Sequence, residues 1–147
     1  AWAVARFGPF DFDLAASDDN ALCDRYFTLR EDSLRQNWRA HASRAWCNPP
    51  YSDVRPWIEK AIDEAQSGLA STWLIPAFRG NVYHAEHTQL YATEIVLISP
   101  RVAFIGADGK PKAGNTGGNM LVHFNGQPAP PDHLARITIE TIRKPKR

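Results

Sequence analysis

Apolar residues fall into short runs separated by polar stretches along the chain, a pattern that predicts strands alternating with helices. Strands are expected at 10–16, 44–47, 71–78, 94–99, 102–105, 120–124 and 136–142, with a short β-like or extended segment at 22–28. Residues 10–14 alternate between apolar and acidic side chains, as in a strand with one buried face. Residues 72–75 show no such alternation, which is typical of a strand buried on both faces of a parallel sheet.

The clearest helical pattern follows the run at 44–47. Apolar side chains there recur at three- and four-residue spacing, at Val54, Trp57, Ile58, Ala61, Ile62 and Ala65. Ser52 or Asp53 is the expected N-cap, and Gly68 is expected to end the helix. A second helix is predicted at 82–91, and a polar turn or short helix at 31–37.

The order of these elements predicts the fold class. Strands alternate with helices early in the chain and accumulate late. This order favours an α/β fold with a mostly parallel sheet and antiparallel strands at the C-terminal end. A length of 147 residues suits a single domain, 1–147, that is able to bury a sizeable core.

Composition narrows the function classes only slightly. Hydrophobic residues at 44% and charged residues at 22% are normal for a soluble globular protein. A net charge of +1 neither favours nor excludes a nucleic acid as partner. No run approaches the roughly 18 apolar residues that a membrane span needs, and no signal peptide is recognisable, so a cytoplasmic location is expected.

Cysteine and histidine positions give no sign of a metal site. Cys23 and Cys47 each lie in an apolar stretch and are expected to be buried free thiols. The five histidines are scattered along the chain. His84 and His87 are three residues apart on the second predicted helix, but no acidic or thiol partner completes a ligand set, so a pair on the surface is expected.

The tetrapeptide Asn48-Pro49-Pro50-Tyr51 is the strongest candidate for chemistry. It lies between a predicted strand and a predicted helix, where open α/β sheets bind their ligands. The Asn48 amide offers an acceptor oxygen, and the Pro49 carbonyl can serve as a second acceptor because prolines add no competing N–H. Two acceptors beside the flat Tyr51 ring can hold an exocyclic amino group on a planar ring. The same residues also suit a rigid exit turn after a strand.

Acidic residues near strand ends are weaker candidates. Asp13 is followed by the small residues Ala15, Ala16 and Ser17, which would let a ligand approach the backbone, although no glycine-rich fingerprint is present. Asp24 and Asp32 each follow a short apolar or aromatic stretch. One of the two could hold ribose hydroxyls, and the other could accept from an adenine amino group. The alternative for these aspartates is a solvated or capping role.

A long loop is expected at 106–119. It holds Lys110, Lys112 and Asn115 among five glycines and could reach the phosphates or base edges of a nucleic acid. The alternative is a flexible hairpin loop. The basic tail at 143–147 could add nonspecific affinity for phosphates or only keep the chain end solvated.

Several of these segments follow one another in a specific order. They are Phe12-Asp13-Leu14-Ala15-Ala16-Ser17, Asn20-Ala21-Leu22-Cys23, Tyr26-Phe27-Thr28, Asp32-Ser33-Leu34, Trp38 and Cys47-Asn48-Pro49-Pro50-Tyr51-Ser52. Further along come Pro76-Ala77, Arg101-Val102-Ala103-Phe104-Ile105-Gly106 and Gly118-Asn119-Met120-Leu121-Val122. This succession, from about residue 7 to 124, resembles the phage-type DNA N-6-adenine methyltransferases, a Dam-like family.

The resemblance implies a fold and an activity. The fold is a Rossmann-like methyltransferase sheet with a reversed antiparallel strand pair at one end. The activity is transfer of a methyl group from S-adenosylmethionine to N6 of an adenine flipped out of double-stranded DNA, without a metal. If the chain is encoded by a phage or prophage, it would act in the cytoplasm of a bacterial host cell.

The resemblance also implies roles for particular residues. Asn48, Pro49, Pro50 and Tyr51 match the catalytic motif of amino-methyltransferases. Residues 13–17 take the place of the cofactor loop. Asp32, and less surely Asp24, would contact the adenosine part of the cofactor.

Two features depart from the family pattern. Only residues 1–10 precede the first motif, so the wall that usually encloses the methionine end of the cofactor is expected to be short or missing. Asn48 follows Asp13 by only 35 residues, which leaves no room for an inserted target-recognition domain. DNA recognition is therefore expected from the loops at 80–89 and 106–119.

Three other functions stay open. The same grip on an amino group suits an adenine of RNA, or a glutamine side-chain amide as in release-factor methyltransferases. Those glutamine enzymes usually carry a Gly-rich cofactor loop, which this chain lacks. The non-enzyme alternative is a small nucleic-acid-binding module of methyltransferase fold.

Overall fold

Helices and strands alternate along the chain, in a computed structural model that describes residues 2–77, 87–99, 104–105, 108–112 and 118–141. The helices are α1 (Trp2–Phe7), α2 (Arg55–Gln66) and α3 (Gln89–Tyr91), with 3-10 helices at Ser33–Arg35 and Trp38–Ala40. The strands are β1 (Phe12–Asp13), β2 (Arg44–Cys47), β3 (Ala70–Pro76), β4 (Glu94–Ser99), β5 (Phe104–Ile105), β6 (Pro111–Lys112), β7 (Asn119–Asn125) and β8 (Arg136–Thr141). Among these described helices, none has the length and apolar character needed to span a bilayer.

Six strands form one mixed sheet in the order β1-β2-β3-β7-β4-β8. β1, β2 and β3 pair in parallel, β7 pairs antiparallel with β3 and β4, and β8 pairs in parallel with β4. Of the described strands in this sheet, only β7 is reversed. The predicted α/β class with a mostly parallel sheet is therefore confirmed. The reversed strand comes late in the chain, as expected, but it lies inside the sheet, and the C-terminal strand β8 is the parallel edge.

β1 is shorter than the strand predicted at 10–16, because side-chain hydrogen bonds shape the backbone at both of its ends. Before β1, the Asp11 carboxylate accepts the backbone N–H groups of Ser43 (2.9 Å) and Arg44 (3.1 Å), which ties the start of β1 to the start of β2. After β1, the Asp13 carboxylate accepts the N–H of Ala15 at 3.2 Å and turns the chain away from the sheet.

The segment at 22–28, predicted as β-like or extended, contributes one β-bridge between Tyr26 and Asp13. The Asp13 N–H donates to the Arg25 carbonyl (3.0 Å), and the Phe27 N–H donates to the Asp13 carbonyl (3.0 Å). β2 bonds to the other edge of β1, for example through the N–H of Leu14. β1 is thus paired on both edges, with the 22–28 segment on one side and β2 on the other.

Helix α2 begins later than its predicted N-cap. Val54 is the N-cap, and Ser52 and Asp53 lie outside the helix. Val54 is buried, and its carbonyl accepts the N–H groups of Trp57 (3.1 Å) and Ile58 (3.2 Å). These are the first hydrogen bonds of the helix, so α2 starts after Val54. The predicted end is confirmed, because Gly68, with φ 113°, follows the last helical turn.

The later part of the chain agrees with the predicted strands where it is described. β4, β7 and β8 coincide with the runs predicted at 94–99, 120–124 and 136–142 to within a residue or two. The expected loop at 106–119 contains β6, which pairs antiparallel with β5. Asp108 accepts the Lys110 N–H (3.1 Å) at the turn of this hairpin. Of the helix predicted at 82–91, residues 82–86 lie outside the described ranges.

The sheet is buried on both faces in its middle. One core cluster joins α2 and the 3-10 helices to the sheet, with Trp38, Ile58, Trp73, Val122 and Phe124 among its members. A second cluster on the sheet contains Phe7, Val96 and Leu121. Because neighbouring residues of β7 belong to different clusters, β7 is covered on both sides, which its apolar sequence requires. α1, which the sequence pattern did not predict, supplies Phe7 to the second cluster.

A buried carboxylate fastens α1 to the sheet. Glu94 on β4 forms ion pairs with Arg6 of α1 and with Arg136 of β8 (3.0 Å), and it accepts a hydrogen bond from Thr138. Burial alone would raise the pKa of Glu94, but the hydrogen bonds from these three residues outweigh burial and hold the pKa below its usual value. The three elements are thereby joined through one ionised group.

His123 on β7 is a second group whose protonation is coupled to folding. Its ring stacks on Phe7 with centroids 4.4 Å apart, and its Nδ1 lies 2.8 Å from the Thr72 hydroxyl. Burial, helped by the positive charges of Arg44 and Arg6, lowers the pKa of His123 to about 4.

We expect His123 to make the fold sensitive to acid. In the unfolded chain a histidine binds a proton near pH 6.5, whereas folded His123 does so only near pH 4. Between these values the unfolded state binds more protons, so stability falls as the pH falls, by up to about 3 kcal/mol. Urea unfolding at several pH values, compared with His123→Gln, measures this loss. Curves for the two proteins that run parallel from pH 7 to pH 4 would contradict it.

Candidate functional site

Three loops meet at the carboxyl edge of the sheet. They follow β1, the bridge at Tyr26 and β2, which are neighbours in the sheet and run parallel. The chain leaves β1, pairs on one side of it through Tyr26, and then returns on its other side as β2. Such a reversal in strand order opens a crevice between the loops at the ends of the strands, and open α/β proteins bind ligands there.

The crevice is present as a cleft of about 350 Å³. It is lined by Leu14, Ala15, Ala16, Ser17, Asn20, Thr28, Leu29, Asp32, Ser33, Asn48, Pro49, Pro50 and Trp57. Its volume lies at the lower end of the range typical of small-molecule sites. The structure therefore brings the predicted cofactor loop, one predicted acidic residue and most of the predicted catalytic motif into one cleft.

Asp13 shapes the wall of the cleft from beneath. The side chain is 3% exposed, and its two carboxylate oxygens accept the N–H groups of Ala15 (3.2 Å) and Leu22 (3.0 Å). Burial raises the pKa of Asp13, and the two backbone hydrogen bonds offset only part of that increase. Asp13 does not line the cleft, so within this structure its carboxylate binds the ends of the loop 14–22.

Further side-chain bonds fix the same loop. Asn20 accepts the Ser17 N–H at 2.7 Å through its amide oxygen, and the Tyr26 hydroxyl donates to the Asp18 carboxylate at 2.7 Å. Ala15 and Ala16 are half-buried small residues at the cleft surface. Their short side chains leave the backbone of the loop accessible to a ligand, as the sequence led us to expect.

Asp32 and Asp24, of which the family resemblance favoured Asp32, have different positions. Asp32 lines the cleft, is exposed and adopts a left-handed conformation with φ 51°. Neighbouring bonds hold this turn, since the Glu31 carboxylate accepts the Thr28 N–H at 2.8 Å and the Trp38 indole donates to the Ser33 carbonyl at 2.8 Å. Asp24 is exposed and lies outside the lining of the cleft.

The residues after β2 close the other side of the cleft. Asn48 is half-buried, Pro49 is buried and Pro50 is exposed, and all three line the cleft. In the described part of the chain, the Asn48 side chain forms no hydrogen bond with another residue. Because Pro50 lacks an N–H, the two acceptors Asn48 Oδ1 and the Pro49 carbonyl have no competing backbone donor between them.

Tyr51 differs from the rest of the tetrapeptide, because it does not line the cleft as described. It packs against the main core cluster, and its hydroxyl donates to the Leu74 carbonyl at 3.2 Å. The Asn119 amide donates to the same hydroxyl at 2.9 Å. Tyr51 is therefore tied to β3 and β7 at the edge of the sheet that carries the cleft.

Two large apolar residues are among the lining residues that the sequence interpretation missed. Trp57, expected only as a core residue, is half-buried in the first turn of α2 and contributes to both the aromatic core and the cleft. Leu29 is 94% exposed and lines the cleft, so its apolar side chain is in contact with water. The sequence already showed that Trp57 follows the candidate motif 48–51 closely, at the start of α2. The position of Leu29 depended on the fold of the 28–33 turn.

The residues predicted to bind DNA are only partly described. Lys110 is exposed at the turn between β5 and β6, and Lys112 belongs to β6. Asn115 and most of the loop 80–89 lie outside the described residues. Among the residues that are described, no group of histidine, cysteine and carboxylate side chains is arranged to hold a metal ion.

Comparison with known proteins shows the family of the chain. It belongs to the DNA N-6-adenine-methyltransferase (Dam) family, whose model matches residues 1–143. It is 30% identical over 137 residues to the DNA N-6-adenine-methyltransferase of Escherichia phage T1, an alignment that covers 82% of this chain and 57% of that protein. It is 27% identical over 117 residues to the protein of the same name from Haemophilus phage HP1 (strain HP1c1), covering 78% of this chain and 66% of that protein.

The family predicted from the order of motifs is thus confirmed. The chain spans 57% and 66% of the lengths of these two curated relatives. No solved structure shows a significant match to the chain.

The Asp13 carboxylate gives a test of how the cleft is built. We expect Asp13→Asn to loosen the loop, because an amide has one acceptor oxygen and cannot accept both N–H groups. The loss corresponds to about 1–3 kcal/mol of local stability. Amide hydrogen exchange at Ala15 and Leu22 should accelerate, while Asp19→Asn, an exposed change in the same loop, should leave both rates unchanged. Unaltered exchange in Asp13→Asn would show that the carboxylate does not hold the loop.

Proposed function

We propose that this protein methylates N6 of adenine in double-stranded DNA. The single observation that supports this most strongly is the common cleft of Asn48, Pro49 and the loop 15–17. Asn48 and Pro49 can accept hydrogen bonds from an amino group, and the same cleft can bind a small-molecule methyl donor. Membership in the Dam family supports the same conclusion, as do the names of the two phage relatives.

We further propose that the sheet is a reduced Rossmann-like methyltransferase sheet. Five of the six strands in it point the same way, the reversed β7 lies between β3 and β4, and the cleft opens where the strand order reverses at β1. A parallel sheet with its ligand crevice at such a point is the arrangement of nucleotide-binding α/β folds. The proposal extends to the whole of residues 1–147 as a single domain.

The cleft has the features that S-adenosylmethionine requires. Small residues at 15–17 permit close approach to the backbone, and Asp32 offers a carboxylate to ribose hydroxyls or to the cationic end of the molecule. Trp57 and Leu29 offer apolar surface to the adenine ring. When bound, S-adenosylmethionine supplies an activated methyl group on a sulfonium sulfur. Asp13 acts indirectly, by holding the loop 14–22 against the cleft.

Asn48 and Pro49 would act on the acceptor nitrogen. The lone pair of an adenine amino group is delocalised into the ring, which makes the nitrogen a poor nucleophile. If Asn48 Oδ1 and the Pro49 carbonyl each accept one N6 hydrogen, the nitrogen is drawn toward a tetrahedral geometry and its lone pair is directed out of the ring plane. Positioning and electrostatics then supply most of the acceleration. The proton can leave after transfer, so no strong general base is needed.

The target adenine would have to leave the duplex stack to reach this cleft. Tyr51 follows the two acceptors directly, and we propose that its ring stacks on the flipped base. Lys110, Lys112 and Asn115 would contact the DNA backbone or base edges from the region of the β5–β6 hairpin. Such an enzyme would act on DNA inside a host cell, as its phage relatives indicate by name.

Replacement of Asn48 tests the proposed chemistry. We expect Asn48→Ala to lower methyl transfer to unmethylated DNA by at least about a hundredfold, because one of two acceptors is lost. Affinity for S-adenosylmethionine, measured by calorimetry, should change little. The matched control is Asn37→Ala, an exposed asparagine outside the cleft lining. Substantial residual activity in Asn48→Ala would overturn the assignment.

The two acidic candidates can be separated by a paired experiment. We expect Asp32→Ala to weaken S-adenosylmethionine binding by about tenfold, the loss of one charge-assisted hydrogen bond. Asp24→Ala should leave the affinity unchanged, because Asp24 lies outside the cleft lining. Titration calorimetry on both variants makes the comparison. Equal losses of affinity in both variants, or a loss in Asp24→Ala alone, would contradict the assignment of Asp32.

The acceptor itself is tested by labelled methyl transfer. Adenine-containing DNA, RNA of the same sequence and a protein carrying an exposed glutamine are offered in parallel. Label only in DNA, mapped to N6 of adenine, is expected. Label in RNA or protein would identify the alternative methyltransferases, and binding of DNA without transfer or cofactor binding would identify a non-catalytic module.

A further inference from the structure

Asn119 contacts the catalytic motif from a distant part of the sequence. It is the first residue of β7, is 2% exposed, and its amide nitrogen donates to the Tyr51 hydroxyl at 2.9 Å. The hydroxyl in turn donates a hydrogen bond to the Leu74 carbonyl on β3 at 3.2 Å. The phenol of Tyr51 is therefore held from two adjacent strands, with one bond accepted and one donated.

The reversed direction of β7 brings Asn119 to this place. The parallel strands end at the edge that carries the cleft, and β7 begins there because it runs the opposite way. Asn119 pairs with Pro76, the last residue of β3, and the preceding Gly118 accepts the Ala77 N–H at 3.1 Å. Gly118 has φ 77°, a left-handed conformation that favours glycine. The backbone thus fixes the start of β7, and with it the direction of the Asn119 amide.

We propose that Asn119 is a positioning residue for methyl transfer, acting through Tyr51. This inference rests on the proposed function. Tyr51 is half-buried and directly follows the rigid Pro49-Pro50 pair, and its ring can still rotate about its side-chain torsions. Two hydrogen bonds to its hydroxyl remove that freedom before a base arrives. A ring that is already oriented stacks on a flipped base without an ordering cost, which favours the geometry needed for transfer.

A double-mutant cycle in kcat tests the link. Tyr51→Phe keeps the ring and removes the hydroxyl, and Asn119→Ala removes the donor. We expect each single change to lower kcat by about tenfold and the double variant to be no slower than the slower single variant, because both changes break the same bond. The KM for S-adenosylmethionine should stay within about twofold in all three, since neither residue lines the cleft.

Matched controls separate positioning from simple stability. Asn125→Ala changes the same residue type at the exposed opposite end of β7 and should leave kcat unchanged. If Asn119→Ala does not fold, Asn119→Ser enters the same cycle, because its hydroxyl keeps a donor in a smaller side chain and should recover part of kcat. A structural role alone would lower the melting temperature and leave kcat of the folded protein intact.

The outcomes distinguish this inference from the proposed function. A wild-type protein that transfers no methyl group to DNA would overturn the proposed function. A wild-type protein that methylates DNA, with Asn119→Ala at full kcat, would overturn only the role of Asn119. Independent effects that multiply to about a hundredfold in the double variant would do the same.

Discussion

The pairing of β1 on both of its edges is the constraint on which the site depends. Asp13 bonds through its backbone to the Tyr26 segment, while the flanking Leu14 bonds to β2. Because all three segments run parallel, their following loops emerge at one edge of the sheet, and the cleft forms between them. β1 itself has only two residues in the ladder, and side-chain hydrogen bonds hold the segments beside it as well. The Asp11 carboxylate holds the start of β2, and the Asp13 carboxylate holds the loop after β1.

The reversed strand β7 adds a second constraint. It separates β3 from β4 and is buried on both faces, so the packing of α1 on one face and α2 on the other both depend on it. Because of its direction, its first residue, Asn119, lies at the edge of the sheet that carries the cleft. Its polar residue His123 packs against Phe7 of α1. One strand therefore links the motif after β2 to the core. The same strand carries a group whose burial, by lowering its pKa to about 4, couples the fold to pH.

Aspartates near the cleft illustrate how burial decides the role of a carboxylate. Asp13 is buried, and its oxygens are both used by backbone N–H groups, so it shapes the protein. Asp32 is exposed at the cleft surface, in a turn held by other residues, so its oxygens remain able to meet a ligand. A carboxylate that is desolvated must find its hydrogen bonds inside the protein, whereas a solvated one can exchange water for substrate. At Asn48 and Pro49 the reason is different, because the prolines carry no N–H group that could occupy the two acceptors.

The sequence by itself determined the α/β class, the strands near β2, β3, β4, β7 and β8, and the family, and it singled out the candidate tetrapeptide at 48–51, because these depend on local periodicity and on the order of short motifs. It favoured Asp32 over Asp24 only through the family resemblance, and it could not find Leu29 and Trp57 in the cleft, foresee α1, or place the start of α2 at Val54. Those features depend on which side chains are buried, and burial is decided by strand order. The contact between Asn119 and Tyr51 joins residues far apart in the chain, so only the tertiary structure, through the reversed direction of β7, brought them together.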